Sequence, residues 1–295
     1  MINFVKYSKL YYIFSGIIFA VAVYSLISFG LKFGIDFTGG SILEVRFEQR
    51  PENAVIQEKL KDFNLGEIVV QPTGEKGIIL KTKEVSEETH QSIIVKLGEI
   101  NKVEELSFES IGPVIGKELE QKTRNAIILA LIAITLYITF AFRKISKVIN
   151  SWQCGIASLI ALFHDILIPL GVFAVLGKLY NIEITIPIIA ALLTILGFSV
   201  HDTIVIFDRI RENVLRGGFS SFGETVNVSL NQTLGRSINT VLTVLIVLFA
   251  IFFFGGQTLK YFSLALIIGI TSGAYSSIFI ASSLLVSWFR EKKKA

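Results

Sequence analysis

The stretch ITIPIIAALLTILGFSVHDTIVIF, residues 184–207, decides the fold class of this chain. A membrane-spanning helix needs about 20 mostly apolar residues, and this stretch is long enough. Its only ionisable side chains are those of His201 and Asp202. Because a charge at the bilayer centre costs at least about 2.5 kcal/mol, a spanning helix keeps such residues where they face protein, water or each other. Asp202 is therefore the first candidate functional residue.

Five further windows have the length and composition of membrane spans. They are Leu10–Leu31, Asn125–Phe142, Cys154–Gly177, Ser237–Gly256 and Tyr261–Phe289. With 52% hydrophobic and 18% charged residues, the composition is that of an α-helical polytopic membrane protein with six transmembrane helices. The first window exceeds the apolar region of a cleaved signal peptide, which has about 7–15 residues, so we expect an uncleaved span.

The basic residues of the short loops predict the orientation. Two of them, Lys178 and Lys260, lie on one side of the membrane, and 13 lie on the other. The larger set comprises Lys6, Lys9, Arg143, Lys144, Lys147, Arg209, Arg211, Arg216, Arg236, Arg290, Lys292, Lys293 and Lys294. Positively charged loops stay in the cytoplasm, so we expect both termini there. These loops account for the net charge of +4, so we expect membrane lipid and no nucleic acid as a partner.

The one long polar section, residues 36–124, lies between the first two spans and is therefore predicted to be extracytoplasmic. Alternating and helical patterns predict the order β-α-β-β-α-β, the ferredoxin-like α+β unit. The predicted strands are Ser41–Phe47, Glu67–Gln71, Gly77–Lys81 and Val103–Glu109, with helices beginning near Asn53 and after Ser86. We take His90 to be a solvated side chain on the polar face of the second helix.

These boundaries predict four parts of the chain. Residues 1–35 form the N-terminus and first span, and residues 36–124 form the extracytoplasmic domain. Residues 125–289 form the bundle of the other five spans, and residues 290–295 form a basic cytoplasmic tail.

Asp202 and Arg236 are the strongest candidates for chemistry. Desolvation favours the neutral form of a carboxylic acid, whereas a nearby cation favours the charged form. Arg236 opens the predicted fifth span, so the hairpin between spans four and five brings it to the same half of the membrane as Asp202. An arginine that approaches and withdraws would make the acid bind and release a proton. The alternative is a static ion pair that locks the two spans together.

Two further positions leave alternatives open. Asp165, beside His164 in the third span, is either part of a proton relay or a hydrogen-bonded anchor between spans. His201 could pass protons, or it could bond a neighbouring carbonyl. Small residues of the sixth span, including Gly269, Gly273 and Ser276, allow close helix approach, either within this chain or to another subunit.

Several catalytic motifs are missing from the sequence. It has no His-Glu-x-x-His zinc helix, no phosphate-cradling Gly-x-x-x-x-Gly-Lys-Ser/Thr loop and no Gly-x-Ser-x-Gly elbow. We therefore predict no enzyme activity, no metal and no cofactor other than protons. Any work must draw on an ion gradient or on hydrolysis by a partner.

Four segments together resemble one family. The segment GIDFTGG, residues 34–40, is similar to a signature of the SecD/SecF protein-export membrane proteins, with Gly34, Asp36, Phe37, Gly39 and Gly40 as its motif residues. Residues 111–119, IGPVIGKEL, residues 198–213, FSVHDTIVIFDRIREN, and residues 232–240, QTLGRSINT, are also similar to family patterns.

The resemblance implies a subunit of the bacterial plasma (inner) membrane. Such a subunit pairs with SecD in a twelve-span complex related to the RND transporters, of which this chain is one half. With the SecYEG channel, the SecA motor and the accessory protein YajC, the complex would help pull a translocating polypeptide out of the membrane, driven by the proton motive force. In the family, the membrane acid and arginine matching Asp202 and Arg236 are implicated in proton flow, and SecD supplies a further acid.

Three alternatives remain. An RND-type exporter of lipids or small molecules needs large external porter domains, whereas residues 36–124 form a small one. A passive scaffold of the translocon would use the charges only to pin helices together. An intramembrane hydrolase needs a nucleophile, a base and an orienting group, and no such set is visible.

Overall fold

The computed structural model describes residues 2–143 and 150–292. The predicted loop residues Lys144 and Lys147 and the tail residues 293–295 lie outside this described part. The chain divides into two compact units, Phe33–Arg124 and the remainder, Met1–Lys32 with Asn125–Ala295.

Ten helices and four strands make up the described residues. A 3₁₀ turn at Val5–Tyr7 precedes α1, and a π-helical segment at Ser276–Ala281 separates α9 from α10. The other elements in chain order are α1 Ser8–Phe29, α2 Ile35–Thr38, β1 Gly40–Phe47, α3 Asn53–Lys59, β2 Val69–Thr73, β3 Gly77–Thr82, α4 Glu87–Gly98, β4 Val103–Ile111, α5 Pro113–Ala141, α6 Ser151–Tyr180, α7 Ile186–Arg216, α8 Phe222–Phe254, α9 Gln257–Tyr275 and α10 Ser282–Lys292.

Six helical segments within the described part of the chain are long and apolar enough to cross a membrane. They comprise α1, α5, α6, α7, α8 and the continuous segment Leu259–Phe289 that runs from α9 through the π segment into α10. This result confirms the predicted six-span architecture, since each predicted window lies largely within one of these segments.

The hairpin between α7 and α8 positions the candidate site. Gly217 ends α7 with φ 70°, a conformation that favours glycine. The Ser221 side chain caps α8 by accepting a hydrogen bond from the Glu224 backbone N–H. The prediction that the fifth span opens at Ser237 was wrong at this end, because α8 begins at Phe222. Arg236 therefore lies near the middle of a 33-residue helix.

The unit Phe33–Arg124 contains an antiparallel four-stranded sheet. Its strand order is β2-β3-β1-β4, with β1 and β3 in the centre. Apolar side chains of the strands and of helices α3 and α4 share one core, represented by Val45, Phe47, Ile56, Ile78 and Leu97. This topology confirms the predicted βαββαβ ferredoxin-like fold.

The prediction for His90 was wrong. Its side chain is only 3% exposed and its ring stacks on Phe108 of β4, with centroids 3.8 Å apart. Glu87 Oε1 lies 3.2 Å from Nδ1, and Glu105 Oε1 lies 3.2 Å from Nε2. The polar face of α4 is thus partly buried against the edge strand, and the hydrogen bond between Nδ1 and the Glu87 carboxylate offsets part of the cost of burying the imidazole.

Candidate site in the membrane-spanning helices

Asp202 lies buried between α7 and α8, with 7% of its surface exposed. The Ser237 hydroxyl of α8 donates a hydrogen bond of 2.6 Å to Oδ1. The other carboxylate oxygen, Oδ2, is buried and has no hydrogen-bond partner among the described residues. An unsatisfied buried carboxylate oxygen costs free energy, so this carboxyl group lacks half of the partners that a purely structural acid should have.

Arg236 does not form an ion pair with Asp202 in the described part of the chain; its side chain is exposed on the outer surface of α8. The direct contact with the acid is made by Ser237, which follows Arg236 in the chain. The hypothesis that Arg236 approaches and withdraws from Asp202 stays a prediction. In this structure the acid is buried and the arginine is exposed.

Polar and small side chains continue along the surface around Arg236. On α7 the outward face carries Thr194, Gly197 and His201, spaced three and four residues apart. From residue 236 to 243 of α8 the exposed polar side chains are those of Arg236, Asn239, Thr240 and Thr243, interspersed with exposed Ile238 and Leu242. Polar side chains exposed to hydrocarbon are costly, and small residues allow close helix approach. We call these residues the α7–α8 polar face, and it suits another protein subunit better than lipid.

Asp165 is fully buried and has partners for both carboxylate oxygens. Ser199 of α7 donates to Oδ2 at 2.5 Å, and Ser276 of the π segment donates to the same atom at 2.8 Å. At Oδ1, Ser272 of α9 donates at 3.2 Å and His164 Nδ1 lies 3.1 Å away. The structure therefore brings Asp165 together with three helical segments and not with Asp202, and these surroundings favour the anchor alternative over the relay.

The small residues of the sixth span pack within this chain. A Cβ atom built on Gly269 would lie 2.1 Å from Ile195 Cδ1, and one on Gly273 would lie 3.1 Å from Ser199 Cβ. Both neighbours belong to α7, so the absence of side chains at these glycines lets α9 approach α7 closely. This finding favours the alternative of packing inside the chain over docking to another subunit.

The motif residues 34–40 form the short helix α2 and the turn that follows it. Gly34 precedes α2, and its carbonyl accepts the N–H groups of Phe37 and Thr38. Phe37 is buried. Gly39 and Gly40 have φ values of 75° and 138°, which non-glycine residues rarely adopt. The geometry gives these glycines a structural role.

Sequence reasoning missed the serines that contact the two acids. These serines, Ser199, Ser237, Ser272 and Ser276, are ordinary small residues in apolar helices, so nothing in the sequence separates them from packing serines. A weak signal was available for Ser237, because it follows Arg236 directly. No group of three or more His, Cys, Asp or Glu residues is placed to hold a metal ion within residues 2–143 and 150–292.

The fold and this site together define a six-span membrane protein with buried carboxylates at helix contacts and a small ferredoxin-like domain after the first span. A family model described as "Protein export membrane protein SecD/SecF, C-terminal" matches residues 92–291, and the "SecD/SecF GG Motif" matches residues 24–49. The chain belongs to the SecD/SecF family.

Relatives extend over nearly the whole chain. The protein translocase subunit SecF of Thermobaculum terrenum is 44% identical, and the match covers 98% of this chain and 94% of that protein. The protein translocase subunit SecF of Haemophilus influenzae is 35% identical, with 96% of this chain and 84% of that protein covered.

A solved structure shares the fold. The crystal structure of SecDF, a translocon-associated membrane protein from Thermus thermophilus, aligns with a TM-score of 0.84 at 35% identity. The match covers 97% of this chain but 38% of the SecDF chain. The chain therefore spans well under half the length of that protein.

Proposed function

We propose that this chain is the SecF-type subunit of a SecD–SecF complex that uses the proton motive force to assist Sec-dependent protein translocation. The similarity to translocase subunits named SecF, over more than nine-tenths of the chain, supports this assignment. The chain spans only 38% of the matched SecDF protein, which suggests that a SecD partner supplies the remainder.

The single observation that carries the mechanism is the half-satisfied Asp202 carboxylate next to the α7–α8 polar face. Oδ2 is buried without a partner, while Arg236 and His201 lie on the exposed surface one residue from Ser237 and Asp202 respectively. Docking of a SecD helix on this face would enclose the Arg236 and His201 side chains and complete the surroundings of Asp202. Arg236 would then stabilise the ionised acid in one state of the complex and leave it free to take a proton in another.

The orientation and the other partners follow from the same assignment. Leaving out Arg236, which lies within α8, the sequence still has 12 Lys and Arg on one side against two on the other. This surplus supports cytoplasmic termini, which would place the domain Phe33–Arg124 outside the cytoplasm. The SecYEG channel, SecA, YajC and the translocating polypeptide are the partners that family membership suggests. The proposed role is coupling by protons and conformational change, without an enzymatic step.

A passive scaffold is the second candidate function. The four hydrogen-bonding partners of Asp165 support it, because they join α6, α7 and the sixth span in a fixed arrangement. An RND-type exporter is less well supported, since the unit Phe33–Arg124 offers a single small sheet.

The proposed function is tested by complementation. Inverted membrane vesicles would be prepared from bacteria depleted of their own SecF and supplied with this chain and its SecD. Export of a preprotein should be stimulated by the chain, and an ionophore that collapses the proton gradient should remove that stimulation. Stimulation that persists without a gradient would instead support the scaffold.

Ser237→Ala should lower the gradient-dependent part of export about five- to tenfold. The hydroxyl orients Asp202 Oδ1, and an ordinary hydrogen bond contributes about 0.5–1.5 kcal/mol, whose upper part corresponds to this loss. The same vesicle assay measures the effect. Ser263→Ala is the matched control, because Ser263 is also fully buried but donates only to carbonyls of its own helix. Equal effects of the two substitutions would show that Ser237 contributes packing alone.

A further inference from the structure

The sixth span contains a π-helical turn at Ser276–Ala281, between α9 and α10. Such turns widen the hydrogen-bonding pattern from i→i+4 to i→i+5, are rare, and occur frequently at functional sites. The Ser282 hydroxyl donates to the carbonyl of Ser277, five residues earlier, at 3.0 Å. This turn has no part in the site around Asp202 described above.

Two consecutive hydroxyls of the π turn bond two different helices. Ser276 donates to Asp165 Oδ2 of α6 at 2.8 Å. The Ser277 hydroxyl lies 2.7 Å from the Thr203 hydroxyl of α7, to which it donates, and 3.4 Å from the Ser199 carbonyl. Consecutive helical side chains diverge by about 100°, so these two adjacent hydroxyls tie the π turn to two different neighbouring helices.

The contacted part of α7 is the turn that carries Asp202. Ser199 donates to Asp165 at 2.5 Å, and its carbonyl accepts a hydrogen bond from Thr203 at 3.1 Å. Thr203 directly follows Asp202 in the chain. The residues of this network, Asp165, Ser199, Thr203, Ser276 and Ser277, are each at most 1% exposed. Hydrogen bonds in such dry surroundings are strong, and leaving one unmade is costly.

We propose that this π turn, anchored by Asp165, positions Asp202 by fixing the rotation of α7 through the Ser277–Thr203 hydrogen bond. The proposal rests on the proposed function insofar as Asp202 is the proton site. Asp165, Ser277 and Thr203 are then positioning residues: they act on Asp202 through the backbone of α7 and contact neither its carboxylate nor the α7–α8 polar face. The fourth and sixth spans would move as a coupled pair during a proton cycle.

The test measures the rotation of α7 directly. Gly197 lies on the outward face of α7 with no heavy atom near a built Cβ, so Gly197→Cys introduces a thiol label without a clash. Cys154, the only native cysteine, is replaced by alanine. In the full chain purified in detergent, Ser277→Ala and Thr203→Val should each change the rate of maleimide labelling at position 197 about threefold or more. In vesicles, each should lower gradient-dependent export about tenfold.

The control is Ser158→Ala, because Ser158 is 1% exposed and donates only to the Cys154 carbonyl of its own helix. It should leave labelling and export unchanged. Unchanged labelling in both Ser277→Ala and Thr203→Val would overturn the positioning role, whatever the export result. The proposed function fails separately, if Asp202→Asn supports normal gradient-dependent export. Thr203 and Ser277 lie on different helices, so the labelling of Thr203→Val still tests the proposal if Ser277→Ala does not fold.

Discussion

Asp202→Asn should abolish the stimulation of export by the proton gradient and leave assembly with SecD intact. Asparagine has nearly the same shape as aspartate and can still accept the hydrogen bond from Ser237, which is 2.6 Å long in the native protein. It cannot gain or lose a proton, however. If Asp202 is the group that couples proton movement to conformation, the remaining export should equal that of the native protein with the gradient collapsed. Vesicle export with and without an ionophore measures this loss, and co-purification measures assembly.

Asp208→Asn is the matched control for this prediction. Asp208 lies six residues further along α7, but it is exposed and pairs with Arg211 at 2.5 Å. Surface ion pairs of this kind contribute about 0–1 kcal/mol, so the substitution should leave export nearly unchanged. An Asp202→Asn variant that assembles and responds normally to the gradient would contradict the proton-coupled function and favour the scaffold.

The spans could be predicted because each apolar run is long enough by itself to cross a bilayer. The start of α8 could not. The first turns of α8 are rich in polar residues and pack against the N-terminal segment of the chain. The Asn227 and Asn231 side chains accept hydrogen bonds from the backbone N–H groups of Phe4 and Ile2, more than 220 residues away in the chain. Hydropathy windows cannot detect such contacts, and so Arg236 was expected at the entrance of the helix.

The surroundings of the acids were also only partly predictable. A charged residue in an apolar run is visible in any sequence, which is why Asp165 and Asp202 were both identified. Their difference depends on tertiary contacts: Asp165 has donors for both oxygens, whereas Asp202 has a donor for one. His90 shows the same limit, because the helix pattern alone did not show that β4 would cover it.

Gly39→Ala should destabilise the domain Phe33–Arg124 by about 2–6 kcal/mol. Gly39 has φ 75° and ψ 160°, a region that is essentially restricted to glycine and costs other residues about 1–3 kcal/mol. In addition, a Cβ atom would lie 2.7 Å from Pro113 Cα. Because that neighbour is backbone, relief requires a shift of the chain at the start of α5, and such overpacking costs typically about 1–3 kcal/mol.

Gly74→Ala separates the two causes of this effect. Gly74 also has a positive φ, 57°, but a Cβ there would meet no heavy atom within 4 Å. Gly74→Ala should therefore lower stability only by the cost of the positive φ for alanine, about 1–2 kcal/mol. Limited proteolysis of the full chain in detergent, over a urea series, compares the two variants. If they lose equal stability, the contact with Pro113 is unimportant. If neither variant loses stability, the motif glycines are needed for something other than the backbone conformation, such as contact with a partner. A large loss of stability in Gly39→Ala alone would show that the motif glycines stabilise the fold. Proton coupling would then depend on the acids of the membrane spans and not on this motif.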